Sequence, residues 1–425
     1  MRAELSKLLI KERGFAAVVV EADFPDAFRA NLYARGLSST DMTAEQALRD
    51  FKRFPTWMWR NSVVTEFIEW LKRHNDKVRD GVAPRPNAPG ARGVSFLGMD
   101  VYSLHSSAAK VIEFLSVADP DAADIALKRY ACFDRYGADT MHYAYAVGMG
   151  GAPSCAPAAL AQLKEVVEKA AGYGAAIDGE LGEELAFAAR CNAAVVTGAE
   201  AYYRNMFFGE DLTWNLRDRH FADTVAAIRD HLSRPPGARD KPGPWAGGPP
   251  ARLVLWAHNS HLGDASATDM GWKRGEINVG QLVRERLGLK ATYNIGFTTN
   301  HGTVAAADDW DTPVQRKSVR KGMPGSFEHL FHKCGMPEFA LDLRQGSSDL
   351  REALEGPLLE RAIGVVYRPR TERQSHYFYA SLPAQFDCVV HVDDSLALTP
   401  LEKTGAWETD EHAREDAPET YPFGV

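Results

Sequence analysis

Apolar residues recur along this chain at two different periods. Between residues 2 and 13, Leu5, Leu8 and Leu9 fall on one face of a predicted helix, and Gly14 follows as its stop. Residues 15–20 form a continuous, β-branched apolar run, the pattern of a strand buried on both faces, and the run ends on Glu21 and Asp23. Residues 94–98 repeat the pattern and end on Met99 and Asp100. Residues 252–256 do so again, then turn polar abruptly and deliver His258, Asn259, His261 and Asp264. A fourth strand is predicted over 291–298, running into Thr299, Asn300, His301 and Gly302, with two more over 362–367 and 387–392.

The other period is helical. From Phe28 to Trp70 the chain reads as helix in pieces: Pro55 breaks the aromatic cluster Phe51, Phe54, Trp57 and Trp59, and Asn61 or Ser62 caps the stretch that reaches His74. Residues 80–93 are turn-rich. Between Ser103 and Arg234 an Ala-rich pattern predicts five or six helices with no strand among them. Within it, Glu200, Tyr202, Tyr203, Arg204 and Asn205 are placed at one surface, and the dense run Asn215, Arg217, Asp218, Arg219 suggests a rim or partner role. A polar loop (268–276), a helix (279–287), a long charged surface loop (303–325) and a helix capped by Ser326 follow, and the acidic tail from Gly405 reads as extended. The fold class is therefore α/β: a mostly parallel central sheet with flanking helices and a large all-helical insertion. The core spans 1–100 and 251–400, the insertion 101–250 and the tail 401–425.

Composition narrows the function. The 425 residues are 45% hydrophobic and 25% charged, a globular balance, and no run approaches the roughly 18 apolar residues of a membrane span. A net charge of -8 without any basic stripe argues against nucleic acid. The five cysteines are odd in number and scattered, without a C-x-x-C, so neither a disulfide framework nor a zinc knuckle is indicated, and a reducing cytoplasm is expected.

Polar groups at four strand ends, Glu21 with Asp23, Asp100, His258 with His261, and Asn300 with His301, predict a crevice at the carboxyl edge of the sheet. A carboxylate beside an imidazole orients the ring and raises its basicity, so a histidine there takes a proton from water while another polar group stabilises an oxyanion. Ionised Glu21 at the end of an apolar strand requires a partner. Asp100 reads equally as the cap of the helix beginning near Ser103, and the two histidines as loop hydrogen-bonders. Trp57, His376 and Tyr377 read as pocket wall or as packing. No G-x-S-x-G elbow, phosphate loop, H-E-x-x-H or G-x-G-x-x-G is present, which removes most support for covalent catalysis, nucleotide hydrolysis and hydride transfer. No cofactor is expected. Zinc, manganese or iron on His258, His261 and a carboxylate is the weaker alternative, because H-x-x-H on a loop fixes no third ligand.

Four phrases, Gly14-Phe-Ala-Ala-Val-Val-Val-Glu-Ala-Asp23, Leu255-Trp-Ala-His-Asn-Ser-His261, Gly325-Ser-Phe-Glu-His329, and Ser375-His-Tyr-Phe378 with Gln385-Phe-Asp387, together resemble the erythromycin esterase family over nearly the whole chain. The resemblance implies an α/β core with helical additions and hydrolysis of an ester or macrolactone, with a small-molecule substrate. It implies that Glu21, His258 and His261 match active-site positions, and that Arg2 matches the family's arginine. The family's Gly-Glu-x-Ser/Thr-His-Gly-Thr segment, with its histidine base, is not among these residues, because Met1 aligns inside the following helix. A start further upstream is the economical expectation, and activity impaired by truncation the other. A binding protein that holds a macrocycle without turnover, and a metal-dependent hydrolase, are the rival readings.

Overall fold

The computed structural model describes residues 1–137, 139–177, 179–235, 248–403 and 405–408. They divide into two compact units: those within 1–51, 64–235, 248–257 and 275–283 in the first, and those within 52–63, 258–274 and 284–408 in the second.

The first unit is built on three parallel strands, β1 (Ala17–Asp23), β2 (Ser95–Asp100) and β3 (Leu253–Trp256), in the order β2-β1-β3. β1 is central because its residues are apolar on both faces: Val18, Val19 and Val20 are each fully buried. Helix α1 (Arg2–Arg13) precedes it and stops at Gly14, whose φ of 64° suits a left-handed cap. The buried face of α1 is Ala3, Ser6 and Ile10, not the predicted Leu5, Leu8 and Leu9; Leu8 is 56% exposed. Helices α2 (Phe24–Ala34) and α3 (Ser62–Arg79) follow, the latter starting where Ser62 was expected to cap. Asn75 on α3 closes the turn-rich connector onto the sheet, donating to the carbonyls of Ala34 and Val94 and accepting from the Val94 N–H.

Between β2 and β3 the described residues hold six helices and no strand: α4 (Leu104–Ala118), α5 (Pro120–Asp134), α6 (Thr140–Gly148), α7 (Ala156–Ala175), α8 (Gly179–Arg204) and α9 (Glu210–Ser233). They belong to the same compact unit as the three-stranded sheet. Small residues of α8 (Ala186, Ala189, Ala193, Ala199) let it pack in the middle of an apolar cluster that includes Val111, Phe114, Tyr130 and Tyr173. Glu200, expected at the surface, is 1% exposed; it accepts from Tyr143, Ser154 and Arg204. The expectation of unpaired thiols is also corrected, since Cys132 and Cys155 form a disulfide across 23 residues. Spacing hid it because the turn through α6 is what returns the chain, bringing the two Cα atoms to 5.9 Å. Closing that loop is worth about 3 kcal/mol against the unfolded chain, so Cys132→Ser should lower the melting temperature by several degrees, and reductant should do the same to the wild type.

The second unit holds the other six strands, β4 (Ile295–Ala306), β5 (Gln315–Val319), β6 (Glu338–Asp342), β7 (Leu358–Arg361), β8 (Tyr377–Ala380) and β9 (Cys388–Ser395). Four form a mixed sheet in the order β5-β4-β9-β6, in which only β4 and β9 are parallel, and β7 pairs with β8 antiparallel. The sheet is therefore divided, where a single one was expected, although the α/β class stands. The predicted loop 303–325 contains the end of β4 and all of β5, an edge strand whose Arg and Lys disguise it. The strand expected at 362–367 lies just before it, at β7, where Glu360 and Arg361 interrupt the apolar pattern. Helix α10 (Asn259–Leu262) starts at His258, and α11 (Phe327–His332) is capped by Ser326 through the His329 N–H, as its sequence suggests. Gly405–Glu408 is a short helix, not extended chain, and the rest of the predicted tail lies outside the described residues.

Candidate functional site

In the first unit the carboxylates at the ends of β1 and β2 come together. They lie within the last strand residues, not beyond them: after the Val20–Gly98 pair the register slips, and Asp23 faces Asp100. Gly98 permits this, since a Cβ there would meet the carbonyl oxygens of Ala22 and Asp23 at 2.5 and 2.7 Å. Arg217 of α9 joins the two strands. Its Nε and Nη2 donate to the two oxygens of Asp100 at 2.9 and 2.8 Å, and Nη2 also donates to Glu21 Oε1 at 3.0 Å. Asp100 is thus an ion-pair partner that also accepts the N–H of Val101; the predicted cap of α4 is not seen. Burial acts to lower the Arg217 pKa, but the charges of Asp100, Tyr102 and Glu21 outweigh it and hold it well above its ordinary value. The neighbouring His220 is pushed by burial down to about 4, so it stands neutral at pH 7. Arg2, in the first turn of α1, feels burial that lowers its pKa and the Glu21 charge that raises it.

Arg217 was the residue whose role the sequence concealed. Its dense polar neighbourhood drew attention, but a charged helix face is usually solvated, and only the packing of α9 shows the side chain turned toward the strands.

In the second unit His258 N-caps α10: Nδ1 accepts the Ser260 N–H and lies 2.8 Å from Ser260 Oγ, and Nε2 lies 3.0 Å from the Ile363 carbonyl oxygen. Those contacts make Nε2 the protonated nitrogen of a neutral ring. His261, one turn on, is 2% exposed. Asn259 between them bonds both ways to Phe297 of β4, which fixes the turn.

Asn300 and His301, expected after a strand, lie inside β4. The Gly322 N–H donates to Asn300 Oδ1, so its Nδ2 faces His301 Nδ1 at 3.1 Å. His301 is near His332, whose Nδ1 is 2.8 Å from Asp393; His391 also approaches Asp393, at 3.4 Å. His376 accepts the Arg368 N–H and contacts the Ala362 carbonyl, and Tyr377 accepts the Met323 N–H. Trp57 packs with Ala307 and Val314 and donates its indole N–H to Ala305. These three side chains are buried and bonded within their unit, the geometry of packing. The sequence pattern also missed a buried acid pair. Burial first, and then the charge of Glu328, holds the Glu360 carboxyl well above the usual range, and Glu328 accepts the Arg361 N–H beside it.

Among the described residues no group of three or more His, Cys, Asp or Glu is arranged to hold a metal ion, and no helix is long and apolar enough to cross a membrane. The chain is similar in structure to a succinoglycan biosynthesis protein (18% identity, 94% of this chain and 85% of that one, TM-score 0.68). It is similar also to a Bacillus cereus protein (15% identity, 95% and 86%, TM-score 0.71). A mutant of the erythromycin esterase EreC in its open conformation matches at 18% identity over 93% and 88%, with TM-score 0.52. At such identities these likenesses show the fold. The family model described as erythromycin esterase matches residues 10–395, a span that holds Glu21, Asp100, Arg217, His258 and His261 and leaves Arg2 outside. With nine-tenths of its length matched, the chain belongs to the erythromycin esterase family.

Proposed function

We propose that this chain is a carboxylic-ester hydrolase of the erythromycin esterase type, which opens an ester or macrolactone with histidine-activated water. Family membership supports a hydrolase acting on a small molecule. The observation that carries the finer reading is the Glu21 carboxylate, held at the end of the central strand by a guanidinium that is itself anchored. Water adds across the acyl C–O bond: its oxygen joins the acyl carbon, and a proton passes to the leaving alcohol. Glu21 is the carboxylate that supports this proton transfer, His261 and His258 are the imidazoles that meet the carbonyl or the water, and Arg2 steadies the carboxylate network. Asp23, Asp100, Trp57, Asn300, His301, His376 and Tyr377 were the candidates for substrate contact; of these Asp100 serves better as an anchor for Arg217, and Trp57, His376 and Tyr377 as packing. Macrolides are the substrates that make the activity one of antibiotic resistance. A cytoplasmic address belongs to this proposal, with the Cys132–Cys155 disulfide as the feature arguing the other way.

Incubation with a panel of macrolides and simple aryl esters tests the reading, with hydrolysed product followed by mass. A ring-opened product heavier by one water from a lactone, or the free acid and alcohol from an ester, is expected for at least one substrate. A folded protein that yields none overturns it, and ligand-dependent melting shifts without product would instead favour a macrocycle-binding protein.

A further inference from the structure

We infer that Arg217 is a positioning residue of this enzyme: a guanidinium supplied by the helical segment between β2 and β3 that fixes the Glu21 carboxylate and keeps it ionised. The inference rests on the hydrolytic reading and adds a residue to it. The three charged groups form a line of increasing exposure, with side chains 2% exposed at Asp100, 13% at Arg217 and 22% at Glu21. Asp100 engages the guanidinium through two hydrogen bonds, and Nη2 also reaches Glu21 Oε1. A purely structural ion pair would be complete with Asp100 alone. The further bond, on the more exposed side, is what aligns Glu21.

The guanidinium has little freedom to do otherwise. Tyr102 and Phe221 lie 4.9 and 4.8 Å from its carbon, ring centroid to Cζ, so two aromatic rings hold it. The register of α9 is fixed on the same turns. Trp214 donates to the Ile277 carbonyl, Asn215 accepts the Ile277 N–H, and Asp218 accepts the Val279 N–H, each at 2.8 Å. A planar fork with rigid donors can serve two carboxylates in set directions, which a lysine ammonium cannot. Ionisable groups around the cluster include Arg2 from α1, Asp23 on β1, Tyr102 just past β2, and His220 and Asp223 on α9. Burial keeps Tyr102 protonated, against the pull of Arg217, and His220 neutral, while the charge of Arg2 also acts on Glu21.

The test compares R217M, R217K and the control R219M, whose side chain is on the exposed face of the same helix, on an aryl ester that the wild type hydrolyses. R217M is expected to lose about 100-fold in kcat with KM changed less than about threefold. The acid limb of its kcat/KM profile should move up by about one pH unit, because a carboxylate that loses one of its cations, with Arg2 remaining, holds its proton to higher pH. R217K should return the limb toward the wild-type position while kcat stays about tenfold low, and R219M should change neither. A folded R217M with wild-type kcat and an unmoved limb overturns the inference. So does an R217K that restores melting temperature but not the limb, which would reduce Arg217 to a structural ion pair. If R217M fails to fold, R217K decides, and an unchanged kcat there is the overturning result. A wild type inactive on every ester fails the hydrolytic reading itself and this inference with it; an active wild type with indifferent R217 variants fails this one alone.

Discussion

Glu21→Gln is expected to reduce kcat on an ester substrate by about 10³-fold, within the usual range for losing a group that handles a proton in the transition state. The substitution is chosen because it keeps shape: an amide oxygen can still accept from Arg217 Nη2, where Oε1 now does at 3.0 Å. Stability should therefore change by no more than about 1 kcal/mol, and the Arg217 charge remains compensated by Asp100. Steady-state kinetics beside a thermal melt separates the two effects. Activity within tenfold of wild type, in a folded protein, would remove Glu21 from the chemistry. Asp100→Asn should behave in the opposite way. It leaves buried Arg217 short of an anion that takes two of its hydrogen bonds, so it should cost stability first, on the order of 3 kcal/mol.

The second large effect concerns the histidines, which the structure separates. His261→Gln should lower kcat by about 10²- to 10³-fold; the residue is 2% exposed at the end of the histidine turn, so some packing goes with it. His258→Gln should be read mainly in stability. Its ring nitrogens are engaged by the Ser260 backbone and side chain and by the Ile363 carbonyl, so losing it removes an N-cap and a tether, roughly 1–2 kcal/mol. Measuring both variants for kcat and for melting temperature checks the division. Equal losses of kcat at equal stability would mean that both imidazoles touch the reacting groups.

Arg217 bears on why a helical segment is present in the unit that carries β1. Residues Leu104–Ser233 bury a large apolar cluster of their own, but α9 also closes the carboxylates of β1 and β2 with a guanidinium that reaches both. Without that guanidinium the charges of Glu21 and Asp100 would repel one another, which favours protonation of one of them.

Elements whose character is local were legible in the chain alone. The run of valines before Glu21 can only be stable where both faces are covered, which makes it a central strand; Gly14 ends α1 because a left-handed cap suits it; Ser326 caps α11; the Ala-rich pattern of 103–234 excludes strands. The family phrases likewise lie in contiguous stretches, so they were legible without a structure. What the tertiary structure alone decided depends on side chains distant in sequence. Arg217 and Glu21 are 196 residues apart, and a charge on a helix face gives no sign of whether water or a carboxylate receives it. Cys132 and Cys155 pair because a helix between them reverses the chain. β5 and β7 carry charge because an edge strand and a buried acid pair do not show the apolar alternation that periodicity detects. His258 and His261 share one phrase, and only the placement of Ile363 and Ser260 around the first makes it a cap.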